Sequence, residues 1–192
     1  MRNPRRMTAG QGRERGSQLL EFAIAAPMLL LLVIGVWDYG AAFALKQKLT
    51  NAAREGARIV SETPSSTADV GGTPCTPAPC NIQAGMRAVV QYVDHAGLNA
   101  SCLLSAAPTS AAPSNGWIYS CNKITLEIDR GIVSGSFVEP YIAVPQPGIG
   151  TVNVGMTVVT LIYPVTWTAG QLVPPPLPPQ ITSQVKMQNI YP

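Results

Sequence analysis

Between Phe22 and Leu45 the only ionisable side chains are Asp38 and Tyr39. A helix of those 24 residues is about 36 Å long at ~1.5 Å per residue. That crosses a hydrocarbon core of ~30 Å with some tilt to spare. The run therefore predicts a chain tethered to a membrane by its N-terminal region, and the rest is organised around that tether.

The charge distribution gives the tether a direction. Of the thirteen basic residues, Arg2, Arg5, Arg6, Arg13 and Arg15 precede Gly16, against one acid, Glu14. Only Lys46 and Lys48 follow closely after the run. The positive-inside rule then places the N-terminus in the cytoplasm and the C-terminal part outside. Residues 17–192 carry eight basic and nine acidic side chains, so no basic surface is left for nucleic acid. All four cysteines (Cys75, Cys80, Cys102, Cys121) fall on the outer side, where disulfides persist. Four cysteines allow three pairings. Cys75 with Cys80, closing a short Pro-rich loop, and Cys102 with Cys121 is the favoured set. CTPAPC suggests a zinc ligand pair only vaguely: no second such pair follows and His95 is the only histidine.

Along the chain, residues 1–15 are polar and basic, fit for a leader or tail. They are followed by more apolar residues than a secretory signal needs, although an Ala-x-Ala-like cut near Gly40–Ala44 is conceivable. Pro27 is expected to kink the helix. Gly40 and Ala44 match the small-x3-small spacing that lets membrane helices approach closely; Gly and Ala are also simply common there. After Leu45 the helix is expected to continue into water. Leu45, Leu49, Ala52, Ala53, Ala57 and Val60 form a narrow stripe of mostly small residues, with Lys46, Lys48, Arg54, Glu55 and Arg58 on other faces. Such a stripe suits a neighbouring helix or the protein's own sheet, and Gly56 makes tertiary support necessary. Thr63–Cys80 reads as an exposed loop.

A second helix is expected over about Ile82–Ala96, with Asn81 as N-cap and Gly97 near its end. Beyond it the pattern is β. Ile124, Leu126 and Ile128 alternate with Thr125, Glu127 and Asp129, and Trp117, Tyr119 and Cys121 alternate upstream. Thr151–Val165 changes phase midway, as a bulge or burial on both faces would produce. Gly131–Gly150 reads as an apolar connection whose Phe137, Tyr141 and Ile142 need cover. PPPLPP (174–179) reads as a stiff polyproline spacer, and ITSQVKMQNI as an edge strand or a tail.

Catalytic motifs are absent: there is no nucleophile elbow, phosphate loop, dinucleotide fingerprint or zinc-protease motif. His95 lies towards a polar helix flank, and Glu127 with Asp129 reads as the solvated edge of a strand. No enzyme, cofactor or metal is expected. Glu21 does demand explanation, because a carboxylate deep in hydrocarbon costs roughly 3 kcal/mol. At the edge of the bilayer the helix dipole and headgroups ease it. If the chain is cut after Gly16, Ser17 gains a free α-ammonium four residues before Glu21, in its own chain or a neighbour's. Asp38 is expected near the outer interface, with Trp37 and Tyr39 as aromatic anchors.

Gly16-x4-Glu21-Phe22, the apolar helix, and then Asn51-Ala52-Ala53-Arg54-Glu55-Gly56-Ala57-Arg58 resemble the TadE-like family of pilus-assembly proteins. The likeness is clearest over residues 16–60. It implies a minor pilin or pseudopilin of a type IVb tight-adherence (Flp-type) pilus system, with a cytoplasmic leader and a periplasmic domain. It further implies a processing site at Gly16, Ser17, Glu21 and Phe22 for a prepilin peptidase. The implied partners are the inner membrane, other pilins and the tight-adherence secretion machinery. The soluble part is much larger than the short tail of a major Flp pilin, and the match does not account for the Pro-rich segment or the cysteines.

The expected fold is α+β, a long N-terminal transmembrane helix packed on a small antiparallel sheet with one further helix. Its parts are a leader (1–16), the helix with its amphipathic extension (17–62), a periplasmic domain (63–173) and a Pro-rich terminal segment (174–192). The assembly helix would act through Glu21, Pro27, Gly40, Ala44, Ala52, Ala53, Arg54, Ala57 and Arg58. Rival readings are a membrane-tethered binding or adhesion module and a periplasmic enzyme built on His95.

Overall fold

The computed structural model describes residues 11–64, 75–111, 116–133, 136–137, 139–148, 150–168 and 179–190. Helix α1 (Gln11–Glu62) already contains Gly16 and Ser17 and runs unbroken through Pro27. Residues 1–10, most of the loop after Thr63 (65–74) and all of PPPLPP except Pro179 lie outside the described residues. The chain divides into two compact units, Met1–Ala41 with Trp167–Leu177, and Ala42–Thr166 with Pro178–Pro192.

In the second unit the small-residue stripe of α1 is core. Leu49, Ala52, Ala53, Ala57 and Val60 are fully buried, with Leu45 packed at the margin. They meet helix α2 (Cys80–His95), whose Ile82, Met86, Val89, Val90 and Val93 face inward. The close approach depends on two glycines. A Cβ at Gly56 would lie 2.3 Å from Val89 Cγ2 and 3.3 Å from the Gly85 carbonyl oxygen. Reciprocally, a Cβ at Gly85 would lie 2.3 Å from Val60 Cγ2 and 3.3 Å from the Gly56 carbonyl. Gly56, costly to a lone helix, is thus what lets the two backbones touch.

The start of α2 corrects one expectation. The N-cap is Pro79, with no side-chain cap, while Asn81 lies inside the first turn and is buried. Proline suits this place because it has no N–H to satisfy and a preset φ. The other end follows the expected chemistry. Gly97 has φ +80°, its N–H donates to Asp94, and that of Leu98 donates to Val93, a Schellman closure that needs a left-handed residue.

A 3-10 helix (Ser101–Ser105) leads to the sheet strands β1 (Thr109–Ala111), β2 (Gly116–Cys121) and β3 (Ile124–Arg130). Two short strands, β4 (Ile132–Val133) and β5 (Ser136–Phe137), pair with each other. Then come β6 (Tyr141–Gln146), β7 (Gly150–Pro164) and β8 (Gln180–Gln188). The main sheet is antiparallel in the order β1-β2-β3-β7-β6, with β8 also on β7. β2 and β3 turn through Asn122 (φ 46°) and Lys123 (φ 67°), the two positive φ values a tight hairpin requires. The inner face carries Tyr119, Ile124, Leu126, Ile128, Val159 and Leu161 against the helices.

In the β region one reading changes and two open alternatives resolve. The phase shift in β7 is burial on both faces: Thr157, Val158 and Val159 are all buried while the register with β3 and β8 runs unbroken. Residues 141–146, read as connection, form β6, an outer strand that tolerates Pro145. The last segment is a nine-residue strand whose Ile181, Ser183, Val185 and Met187 line up with Tyr163, Leu161, Val159 and Thr157. Cys75 is bonded to Cys80 and Cys102 to Cys121; the second bridge closes a 19-residue separation, worth about 3 kcal/mol by loop entropy.

Candidate functional site

The candidate site is α1, and its two stretches have different surroundings. From Gln18 onward it is long and apolar enough to cross a membrane, with a mean hydropathy of 2.5 over its most apolar window and none of that window buried. Glu21, Phe22 and Pro27 are exposed along it, as are Gly40 and Ala44. A Cβ at Gly35 or Gly40 would meet nothing within 4 Å, so the thin face at Gly40 and Ala44 is open. Trp37 and Tyr39 are 76% and 73% exposed, as aromatic anchors require, but Asp38 between them is 7% exposed. Asp38 is thus buried within the protein, which for a carboxylate on an apolar helix is cheaper than facing lipid.

Further along, the stripe is not open to a neighbour. Ala52, Ala53 and Ala57, expected as assembly residues, are consumed by the domain's own core. Their partner is α2 together with the sheet, one of the two possibilities that small residues at this spacing allow. Arg54 and Arg58 do face solvent. Arg58 bridges Glu55 at 2.7 Å and Glu62 at 3.4 Å. The hydrogen bond from Arg58 holds the Glu55 carboxyl below its ordinary pKa, and the pair raises that of the guanidinium. Exposed pairs of this kind contribute little to stability.

Three cations do what the sequence reading did not foresee. Arg130, 2% exposed, donates from Nη1 to the Val60 and Thr63 carbonyls at 2.6 Å each, closing the C-terminal end of α1 where carbonyls lack helical partners. Burial pushes its pKa down. Lys48 donates to the Ala96 carbonyl at 2.8 Å, capping α2 in the same way. Lys46 donates to the Thr182 carbonyl. The signal for Arg130 was the alternation itself, since Ile124, Leu126 and Ile128 continue inward to it.

The rival catalytic residues are not brought together. His95 lines an open groove of about 300 Å³ with Glu55, Ile59, Ala88, Gln91 and Tyr92. Its Nδ1 lies 2.7 Å from the Gln91 carbonyl oxygen, and none of the lining residues is a Ser, Cys or Thr nucleophile. Glu127 and Asp129 share the outer face of β3; burial, then the neighbouring charge of Asp129, raises the Glu127 pKa. Among the described residues no three His, Cys, Asp or Glu are placed to hold a metal ion.

No curated protein and no solved structure matches the chain. One family model does, over Gly16 to Arg58, which takes in the open apolar stretch and all of the buried stripe but Val60. Residues 16–58 of this chain are thus similar to the TadE-like protein family.

Proposed function

We propose that the chain is a membrane-anchored structural component of a tight-adherence pilus system, a minor pilin or pseudopilin that works by helix packing and not by catalysis. Residues 18–45 of α1 cross the inner membrane, the arginine-rich end faces the cytoplasm, and the sheet domain lies in the periplasm. The observation that carries this reading is the overlap of the TadE-like segment with a helix long enough to cross a membrane, whose most apolar window has no residue buried. Lipid and the helices of neighbouring subunits would supply that cover, the open face at Gly40 and Ala44 being thin enough for close approach. Processing after Gly16 would place a Ser17 ammonium within reach of Glu21, in its own chain or the next, and fix the register between subunits.

Two measurements test it. Mass and N-terminal sequence of the protein from its native membrane should give a start at Ser17; an intact Met1 would leave an unprocessed assembly factor, and a start beyond Gly40 would end the reading. Glu21→Gln should insert normally yet reduce pilus assembly, and piliation at the unsubstituted level would remove the proposed pairing.

A further inference from the structure

β7 is longer than its cover. Residues 156–164 lie against β8, and 157–162 also against β3, but residues 150–155 pair with β6 alone. The changeover is at Met156, whose carbonyl accepts from Gly131 N–H and whose N–H donates to the Pro140 carbonyl. Beyond it β6 and β7 form a two-stranded arm. α1 and β8 run side by side in the same sense, from the Lys46–Thr182 contact to the Ser61–Ile190 contact. The arm therefore extends at the end of the domain opposite Lys46.

One face of the arm is aliphatic. Ile142 lies opposite Val154 and Val144 opposite Val152, on the face away from the core. Ile142 and Val152 are 49% and 41% exposed, and the other two are half-buried. From Pro140 to Val185 the sequence has no Asp, Glu, Lys, Arg or His, so the arm lacks the charges that natural sheets use to repel copies of themselves. Of its two edges, the β6 edge is the less inviting: with Pro140 turned to β7, its outward main-chain groups belong to Tyr141, Ala143 and Pro145, and Pro145 offers no N–H. The β7 edge, past the Asn189–Gly155 bond, presents those of Thr151 and Asn153. The face is the aliphatic part.

We propose that this face packs on the same face of a second copy of this chain, when the anchoring helices already hold the two side by side. The inference rests on the membrane-anchored reading above. The arm's face measures about 20 by 10 Å from strand dimensions, well short of the ~800 Å² per partner that a stable free dimer buries. Confinement in one membrane supplies the missing effective concentration. A two-fold axis along the ribbon brings Ile142 against Val154 of the second copy and Val144 against its Val152. These contacts join β-branched aliphatics, and Gln146 then meets Gly150 of the second copy, with no charge facing a like charge, the aligned sheet-on-sheet arrangement.

Cysteine cross-linking of the full chain in membranes tests it, since the four native cysteines are all in disulfides. Gln146→Cys lies on the aliphatic face, Asn153→Cys on the opposite face, and Gly40→Cys reports contact between anchors. With a short bis-maleimide, Gln146→Cys should yield dimers of this chain about tenfold in excess of Asn153→Cys. Adding Val152→Lys should lower that yield about tenfold, because a charge is then buried in an apolar contact. Equal yields on both faces, products with another protein, or no Gln146→Cys dimer while Gly40→Cys cross-links would overturn the arm contact alone. Gln146→Cys dimers without Gly40→Cys dimers would uphold the arm contact and count against helix packing, and absence of both would overturn the two together.

Discussion

Tyr119 has its phenol buried on the inner face of β2, and its hydroxyl has no hydrogen-bond partner among the described residues. Burial pushes its pKa up to about 12. The folded state thus favours the neutral phenol. Its contribution to stability is complete below pH 10 and declines as pH rises from 10 towards 12. Tyr119→Phe is expected to abolish that decline and, by removing an unsatisfied polar atom, to raise stability at pH 7 by about 1 kcal/mol; denaturant titrations at pH 7 and pH 11 measure both. A loss of stability at pH 7 would mean the hydroxyl has a partner after all. Burial of this residue was legible from the alternation of Trp117, Tyr119 and Cys121. The role of Arg130 was not, because a charge in an inward position reads as the end of a pattern until the helix carbonyls above it are known.

Among the elements, the contact between α1 and α2 has a clear steric test. Gly56→Ala gains about 1 kcal/mol of helix propensity but puts a methyl 2.3 Å from Val89 Cγ2, with backbone close behind. Overpacking costs about 1–3 kcal/mol, so net destabilisation is expected and a lowered domain melting temperature reads it. Gly35→Ala, where nothing lies within 4 Å, should leave that transition unmoved. Both helices were legible because their apolar residues recur at helical spacing and glycine marks the end of α2. β6 and β8 were not. Proline at 140 and 145 hid the first, and in the second Ser183 occupies a buried position that a hydrophobic pattern does not flag. Ser183 is matched to Thr50 of α1, the hydroxyls 2.9 Å apart, a pairing visible only once the helix lies over the strand.

At the scale of the whole molecule, the expected α+β class with its long N-terminal helix is what the structure has, but its pieces are joined across the full length of the chain. Lys46 and Thr50 of α1 meet Thr182 and Ser183, 136 and 133 positions later, and Ile190 N–H donates to the Ser61 carbonyl. Deleting residues 179–192 should therefore abolish the cooperative near-UV circular dichroism transition of the domain, whereas deleting 191–192 alone should not; a truncated chain that still melts cooperatively would show β8 to be dispensable. This closure by the last strand also sets a timetable. On the membrane-anchored reading proposed above, the chain crosses with its N-terminal helix already held, and the long central strand must wait, one edge bare, for the nine residues of β8 to follow. On that reading the domain's vulnerable interval is its delivery, and proteases and holding chaperones would act on it before β8 arrives rather than after.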